Sequence, residues 1–518
     1  MDNQNTTTVS DSYIKDVTFP SGYNANQNPL RIHYVCVLSG FEKGSLPEKF
    51  SYCDLGCGNG VTLNLLASMF QDAEFTGIDF NQDHIQQATN SAKSSGIKNI
   101  KYIKEDFANI ENLDFKKQDF ICCNGTFSWV NTQIQDTIKR FVGKTLKTNG
   151  KFYVEYAAQP GKIQMDPLWH FLREMTIAST DSSVERVKLG ISYLEKLRKN
   201  NALFFKQNPV ALSRVQTLAR ENLASIAHNA LTEWQALNHS DIARKLETYE
   251  ITFAGQADLF QNHNELHIPK VFYKDIDSLP TSILRETLKD YILNRGLRRD
   301  IYIKNTGKTK NSSARFDDLV FGTGINSLQP LRKIDFGNGQ SIKFNEKIYR
   351  DIFKVLSEKA EKFSSIKKND AIAAYGEDKI ISAIQKLLAT GYINLFKVNA
   401  EYKTYNNKNK IKINSKIIEQ QLKNIPEQGN ILFLPSENTG HVENLGPMLT
   451  LFLKCLVSNK DNDPVNYVCD YLDKMGYPIV IQNKKISSKN DLKKSLDNLF
   501  KIFSENILPI LARLDIVR

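Results

Sequence analysis

The sequence predicts an α/β fold, a parallel sheet wound with helices, and three observations point to it. Over residues 50–159 short β-type runs alternate with amphipathic helical stretches, the pattern of strands joined by crossover helices. The first run leads into Asp54-Leu55-Gly56-Cys57-Gly58-Asn59-Gly60, three glycines spaced two apart ahead of a further helical stretch. Right-handed crossovers then bring the C-terminal ends of these strands to one rim, where Asp79 and Asp106 close or follow the next two runs.

In chain order, strands are expected at 51–55, 74–79, 100–104, 119–123 and 150–156, with helices at 61–70, 83–95 and 132–146 between them. Asn81 or Asp83 caps the second of these helices. Residues 166–201 and 209–234 carry helical periodicity without strand signals, so a helical insertion is expected over about 163–236. A helix at 240–245 leads into a strand-like stretch at 246–259, which resumes the sheet and ends a first domain spanning 1–262. A middle domain at 263–335 holds the charged patch 295–300. Helices at 346–360, 368–376 and 377–389 and a strand at 392–398 suit a winged-helix-like domain at 336–400. Its third helix carries only Lys379 and Lys386 as cations, so we read it as a packing module before a DNA reader. Residues 401–518 are expected to form a helical C-terminal domain with lysine-rich loops.

Composition narrows the class. At 518 residues the chain exceeds what one core can organise. No apolar run approaches the roughly 18 residues of a membrane span, and the polar start MDNQNTTTVSDS lacks a secretion signal, so a cytoplasmic protein without membrane insertion is expected. The net charge of +11 is spread through Lys/Asn-rich stretches, which makes nucleic acid an unlikely partner. Seven cysteines without a CxxC pair suit reduced, packed thiols and no metal site. His263 and His267 stand four apart, but Glu265 sits where neither zincin pattern needs it, and they are expected to be surface histidines.

The glycine loop carries the chemistry. Its GxGxG spacing differs from the dinucleotide GxGxxG, and no Lys-Ser or Lys-Thr follows, so a triphosphate is disfavoured. Glycines let the backbone approach a ligand closely, and the helix behind them directs its first N–H groups to the same place. Asp54, Gly56, Cys57, Gly58 and Gly60 are therefore candidate cofactor residues. Asp79 with Phe80 follows the second strand, where a carboxylate can accept both hydroxyls of a ribose. Asp106 with Phe107 follows the third, suited to an exocyclic amine and a ring face.

This set resembles the class I S-adenosylmethionine-dependent methyltransferases. The resemblance implies a seven-stranded Rossmann-like sheet and S-adenosyl-L-methionine as cofactor, with methionine and ribose at the glycine loop and adenine between the second and third strands. A finer resemblance extends over Tyr23, Asn28-Pro29-Leu30-Arg31, His33-Tyr34, Phe80 to Ile85, Phe127-Ser128-Trp129-Val130, Tyr156 to Gly161 and Leu297-Arg298-Arg299-Asp300. These are similar to methyltransferases with a regulatory domain, and among them to rickettsial protein lysine methyltransferases that modify outer membrane protein B. That implies a lysine-containing outer membrane protein as substrate, methylated before export, and a homodimer.

Methyl transfer is an in-line displacement that the enzyme promotes by positioning and by excluding water. A free lysine, with a pKa near 10.4, is neutral only on the order of one time in a thousand at pH 7. An apolar, aromatic site lowers that pKa and holds sulfonium and methylammonium groups by cation–π attraction. Tyr13, Tyr23, Trp129 and Tyr156 are the candidate aromatics, and Asn124 is a candidate for either substrate or cofactor. The loop Asn124-Gly125-Thr126-Phe127 lacks the prolines of methylases that act on planar amines, so an aliphatic amine is expected. An RNA or small-molecule methyltransferase, and a non-catalytic DNA-binding regulator, remain the alternatives.

Overall fold

The computed structural model describes residues 14, 16 and 22–518, apart from 178, 180, 219, 306, 308–311, 337–338, 399, 404–410, 424–430, 459–462, 476–479, 482–483 and 486–488. Its centre is a seven-stranded sheet formed by β1 (Ser51–Leu55), β2 (Glu74–Asp79), β3 (Ile100–Lys104), β4 (Gln118–Cys123), β5 (Leu146–Ala157), β6 (Ile251–Gln256) and β7 (Leu297–Lys304). The order is β3-β2-β1-β4-β5-β7-β6, and β7 alone runs antiparallel to both neighbours. The seven strands implied by the resemblance are thus present. The sheet continues past residue 262, because β7 lies within the expected middle domain.

Alternation along each strand builds two apolar faces. Tyr52, Phe75, Phe120, Cys122, Tyr153 and Ile301 face one core; Cys53, Ile78, Ile121, Cys123, Phe152 and Tyr302 face the other. The first face is covered by α1 (Pro29–Leu38) and α2 (Val61–Met69), and α3 (Gln82–Ser94) joins β2 to β3. Asn81 caps α3 by accepting from the Asp83 and His84 N–H groups. The second face is covered by α4 (Thr132–Thr145), whose Ile134, Ile138 and Phe141 recur at helical spacing.

The helical insertion comprises α5 (Asp166–Glu174), α6 (Ser183–Lys199), α7 (Leu203–Gln207), α8 (Pro209–Leu218) and α9 (Leu223–Leu231) around its own core of Leu168, Leu172, Val187, Val215 and Ile226. Two long runs resolve into five shorter helices, broken at Ala202, Asn208 and Asn222. The chain then returns through α10 (His239–Glu247), which packs on the second face beside α4.

A buried ionic network ties β7 to this face. Arg298 is fully buried and donates to Asp300 at 2.9 Å, Asp290 at 2.6 Å and Glu286 at 3.0 Å. Asp300 also accepts from Tyr156 at 2.7 Å and from Gln256 at 2.6 Å, and lies 2.9 Å from His239. Burial opposes ionisation of Asp300, but the Arg298 guanidinium and the His239 and Tyr156 contacts hold its carboxyl down to about 2.

Beyond the sheet, Val320–Gly322, Glu361–Lys362 and Asn394–Phe396 form a three-stranded antiparallel sheet, with helices Lys347–Glu358 and Glu377–Ala389 beside it. The middle helix expected at 368–376 shrinks to a single turn, Ala373–Tyr375. The C-terminal domain holds more than helices. A hairpin of Leu432–Ser436 and His441–Leu445 packs against α2, through a core that includes Leu65, Leu434 and Leu445. His263 and His267 are buried, contrary to a surface position, because the Asn264–His267 turn packs against the Leu259–Asn262 turn and the strand Ser341–Ile342, and His267 bonds the His263 carbonyl at 2.9 Å.

Candidate active site

Strand β1 lies between β2 and β4, where successive crossovers leave in opposite directions and open a crevice at the strand C-terminal ends. The glycine loop fills this switch point. Gly56, Gly58 and Gly60 take φ of +79°, +53° and +75°, a left-handed backbone that side-chain-bearing residues adopt only at a cost. A Cβ on Gly56 would collide with Thr126, whereas one on Gly58 would meet open space, the space a ligand would use. Gly60 instead turns the chain into α2 beneath the loop, where a Cβ would come within 2.8 Å of Ala88.

Two buried carboxylates stand under the loop. Asp79 accepts from the Gly58 N–H and the Asn81 N–H, both at 2.9 Å, and lies 3.5 Å from His84 Nδ1. The Asp79 carboxylate beside it raises the His84 pKa. Asp54 accepts from Gln27 Nε2 at 2.9 Å. Burial pushes its carboxyl up to about 7, and the nearby Asp79 charge adds to the effect. A buried carboxylate so disfavoured as an anion suits a site that receives a cation.

Around these groups lies a cavity of about 220 Å³. Asp54, Gly56, Cys57, Gly58, Asp79, Phe80, Phe107, Asn124 and Trp129 all line it, so most of the expected residues converge on one space. Asn124 Oδ1 accepts from Asn24 Nδ2 at 2.5 Å and from the Tyr153 hydroxyl at 2.9 Å, which occupies both of its lone pairs. The Trp129 ring is half-buried, meets His228 edge-on at 4.8 Å and lies 6.3 Å from Trp234.

Three expected positions stand elsewhere, and a fourth is not among the described residues. Asp106 caps the turn Phe107–Asn112 by accepting from the Ala108 N–H at 2.9 Å, and Phe107 lines the cavity in its place. Tyr156 is buried under the sheet with its hydroxyl on Asp300, because its alternation phase faces the second core. Tyr23 packs on Phe433 at 6.2 Å, within reach of the C-terminal hairpin, and lines a separate cavity. Tyr13 lies outside the described residues.

Several lining residues have no local motif. Asn24 and Gln27 reach the site from the segment before α1, and His228 reaches it from α9 of the insertion. His228 is buried, and burial pushes its imidazole down to about 4, so it is neutral at pH 7. His84 and Gln87, on one face of α3, complete the wall beside Asp79. Their i, i+3 spacing behind Asp79 was a usable signal; the tertiary approach of His228 was not.

With this geometry in view, the family comparisons identify the class. Residues 47–203 match the methyltransferase domain family and residues 222–304 the predicted methyltransferase regulatory domain family. The chain carries a methyltransferase domain of the class I fold followed by a methyltransferase regulatory domain, and its cofactor is S-adenosyl-L-methionine. The regulatory match spans α10, β6 and β7, so that domain completes the sheet.

Among individual proteins, an uncharacterized protein of Synechocystis, sll1526, is 24% identical over 98% of this chain and 100% of its own length. The structure of PKMT2 from Rickettsia typhi matches with a TM-score of 0.67 at 17% identity, covering 96% of this chain and 100% of that one, and it has also been solved with AdoHcy. EEF1A lysine methyltransferase 2 of Homo sapiens is 33% identical over 22% of this chain and 50% of its own length.

Proposed function

We propose that this methyltransferase transfers its methyl group to the side-chain amine of lysine in a protein substrate. The observation that carries this reading is the state of Asn124. In methylases of planar amines the corresponding side chain accepts from the substrate nitrogen, but here Asn24 and Tyr153 already fill the Asn124 oxygen. An amine bound nearby gains no acceptor from it. A tetrahedral aliphatic amine, attacking through its own lone pair, has less need of one than a conjugated amine does.

S-adenosyl-L-methionine supplies an electrophilic methyl on a sulfonium. The residues fit that group: Gly58 leaves backbone open to the methionine end, and Asp54 is a buried carboxylate ready to ionise beside its ammonium. Asp79, already fixed by two backbone N–H groups, would accept from the ribose hydroxyls. Phe80 and Phe107 would flank the adenine. On the acceptor side, Trp129 lines the cavity, and its ring is suited to hold a lysine by cation–π attraction while its ammonium is desolvated. Neutral His228, packed against that ring, keeps positive charge away from the incoming amine.

The likeness to PKMT2 of Rickettsia typhi and to EEF1A lysine methyltransferase 2 supports a protein lysine as acceptor. We extend the reading to a bacterial outer membrane protein as substrate, modified in the cytoplasm before export. We also extend it to a homodimer, formed through the helical insertion, where Leu189, Tyr193 and Leu197 lie exposed at successive turns of α6. No helix among the described residues is long and apolar enough to cross a membrane. The test is an acceptor screen with methyl-labelled cofactor. Label in protein, lost on acceptor-site substitution Trp129→Ala, is the expected outcome; label in RNA with none in protein would overturn the lysine reading.

A further inference from the structure

A second cavity, of about 290 Å³, lies on the far side of the segment that walls the cofactor site. The two share no lining residue: Asn24 and Gln27 face the cofactor, whereas Tyr23, Asn28 and Arg31 face this second space. Its opposite wall is built by Asn394 of the three-stranded sheet and by His441 and Asn444 of the C-terminal hairpin. Three parts of the chain that are remote in sequence therefore meet around it.

The charge of this cavity is one-sided. Arg31 donates Nη1 to the Ala257 carbonyl at 3.2 Å, and among the described residues it makes no ion pair with a carboxylate within 4.0 Å. Asp258, the nearest acid to act on it, is engaged by Arg299 at 3.0 Å and by Asn26 at 3.5 Å. Every other polar group of the lining is an alcohol, phenol, amide or imidazole, and no Asp or Glu is among them. Burial pushes the His441 imidazole down to about 4, so it is neutral at pH 7 and can donate or accept without adding charge. Burial also lowers the Arg31 pKa, the mark of a guanidinium lacking full compensation. The rest of the wall is aliphatic, with Leu30, Leu388, Leu395 and Val442. Such a space offers one planar cation for an oxyanion and an apolar enclosure for what the oxyanion is attached to.

We propose that this cavity is a second ligand site, distinct from the cofactor site, that takes a small organic anion with its oxyanion on Arg31 and its body against the leucine wall. Tyr23 stands at its rim and Asn394, His441 and Asn444 supply neutral hydrogen bonds. The assignment is independent of the choice of methyl acceptor.

Calorimetry on the full-length protein tests it with named probes: butyrate, inorganic phosphate and butyramide, the last being the uncharged counterpart of the first. We expect at least one of the two anions to bind and butyramide not to. We expect Arg31→Gln to weaken that binding at least about tenfold, the loss of a charge-assisted contact. Asn444→Trp, at an exposed strand position where folding is not at stake, should fill the space and weaken it likewise. Cofactor affinity, measured in parallel, should stay within about twofold in both variants, since neither residue lines that cavity. The proposal is overturned if neither anion binds, if butyramide binds as well as butyrate, or if the variants leave anion binding unchanged. It is equally overturned if Arg31→Gln weakens the cofactor alone, which would make Arg31 part of the cofactor site.

Discussion

Asp54 combines a catalytic-site position with a shifted ionisation, and the sign of its effect can be worked out. Its folded pKa, about 7, lies above the unfolded value near 3.9, so the folded state binds the extra proton between these values. Without cofactor, this group stabilises the fold at low pH, and that contribution declines as pH rises from about 4 to about 7. A cofactor ammonium favours the ionised form, so binding reverses the trend. Cofactor affinity should strengthen as pH is raised through about 7 and then level off, and Asp54→Asn should flatten that profile. Titration calorimetry in buffers of different ionisation enthalpy would show a proton released on binding; a flat profile in the native protein would contradict the role given to Asp54.

At this scale the cofactor end was legible in sequence because few residue types satisfy its demands. A turn with three left-handed positions leaves little but glycine, and Asp79 must close a strand to reach the loop. The aromatics were less legible. Trp129 sits beside the cavity, but Tyr156 differs from cavity-facing positions only by the phase of its strand, and that phase sends it to Asp300. Gln27 and His228 carry no local mark at all, since their part in the site is made by tertiary approach.

Among elements, β7 explains why the boundary at 262 could not be read from periodicity. Its sequence, Leu-Arg-Arg-Asp-Ile-Tyr-Ile-Lys, places four charges in an internal strand, and a charged run ordinarily marks an exposed segment. The strand is internal because Arg298 finds Glu286, Asp290 and Asp300 together in one buried cluster. Removing one partner leaves the others buried without compensation, and Arg298→Met should cost about 3–5 kcal/mol in urea unfolding. The depressed carboxyl of Asp300 gives the pH dependence. Its share of stability is present above about 4 and is lost as pH falls through about 2, a loss that Asp300→Asn should remove. An unfolding free energy for Arg298→Met within about 1 kcal/mol of the native protein would show that the network contributes specificity and not stability. The hairpin at 432–445 escaped notice for a different reason: its alternation is short and is preceded by a lysine-rich stretch that dominates the local composition.

For the whole molecule, the arrangement is a cofactor sheet enclosed by additions on both flanks. The insertion brings His228 to the cavity beside Trp129, and the C-terminal hairpin packs on α2, the helix that follows the glycine loop. The regulatory-domain region supplies the last two strands of the sheet, so it cannot be removed without opening the core. Methyl transfer from S-adenosyl-L-methionine to protein lysine, as proposed, leaves a mass signature that mass spectrometry reads residue by residue. An outer membrane protein fragment, incubated with the enzyme and cofactor and digested to peptides, should gain methyl masses localised to lysine side chains, dependent on both components. Methyl groups found solely on RNA or on a small molecule, with the protein lysines unmodified across a range of substrates, would contradict it.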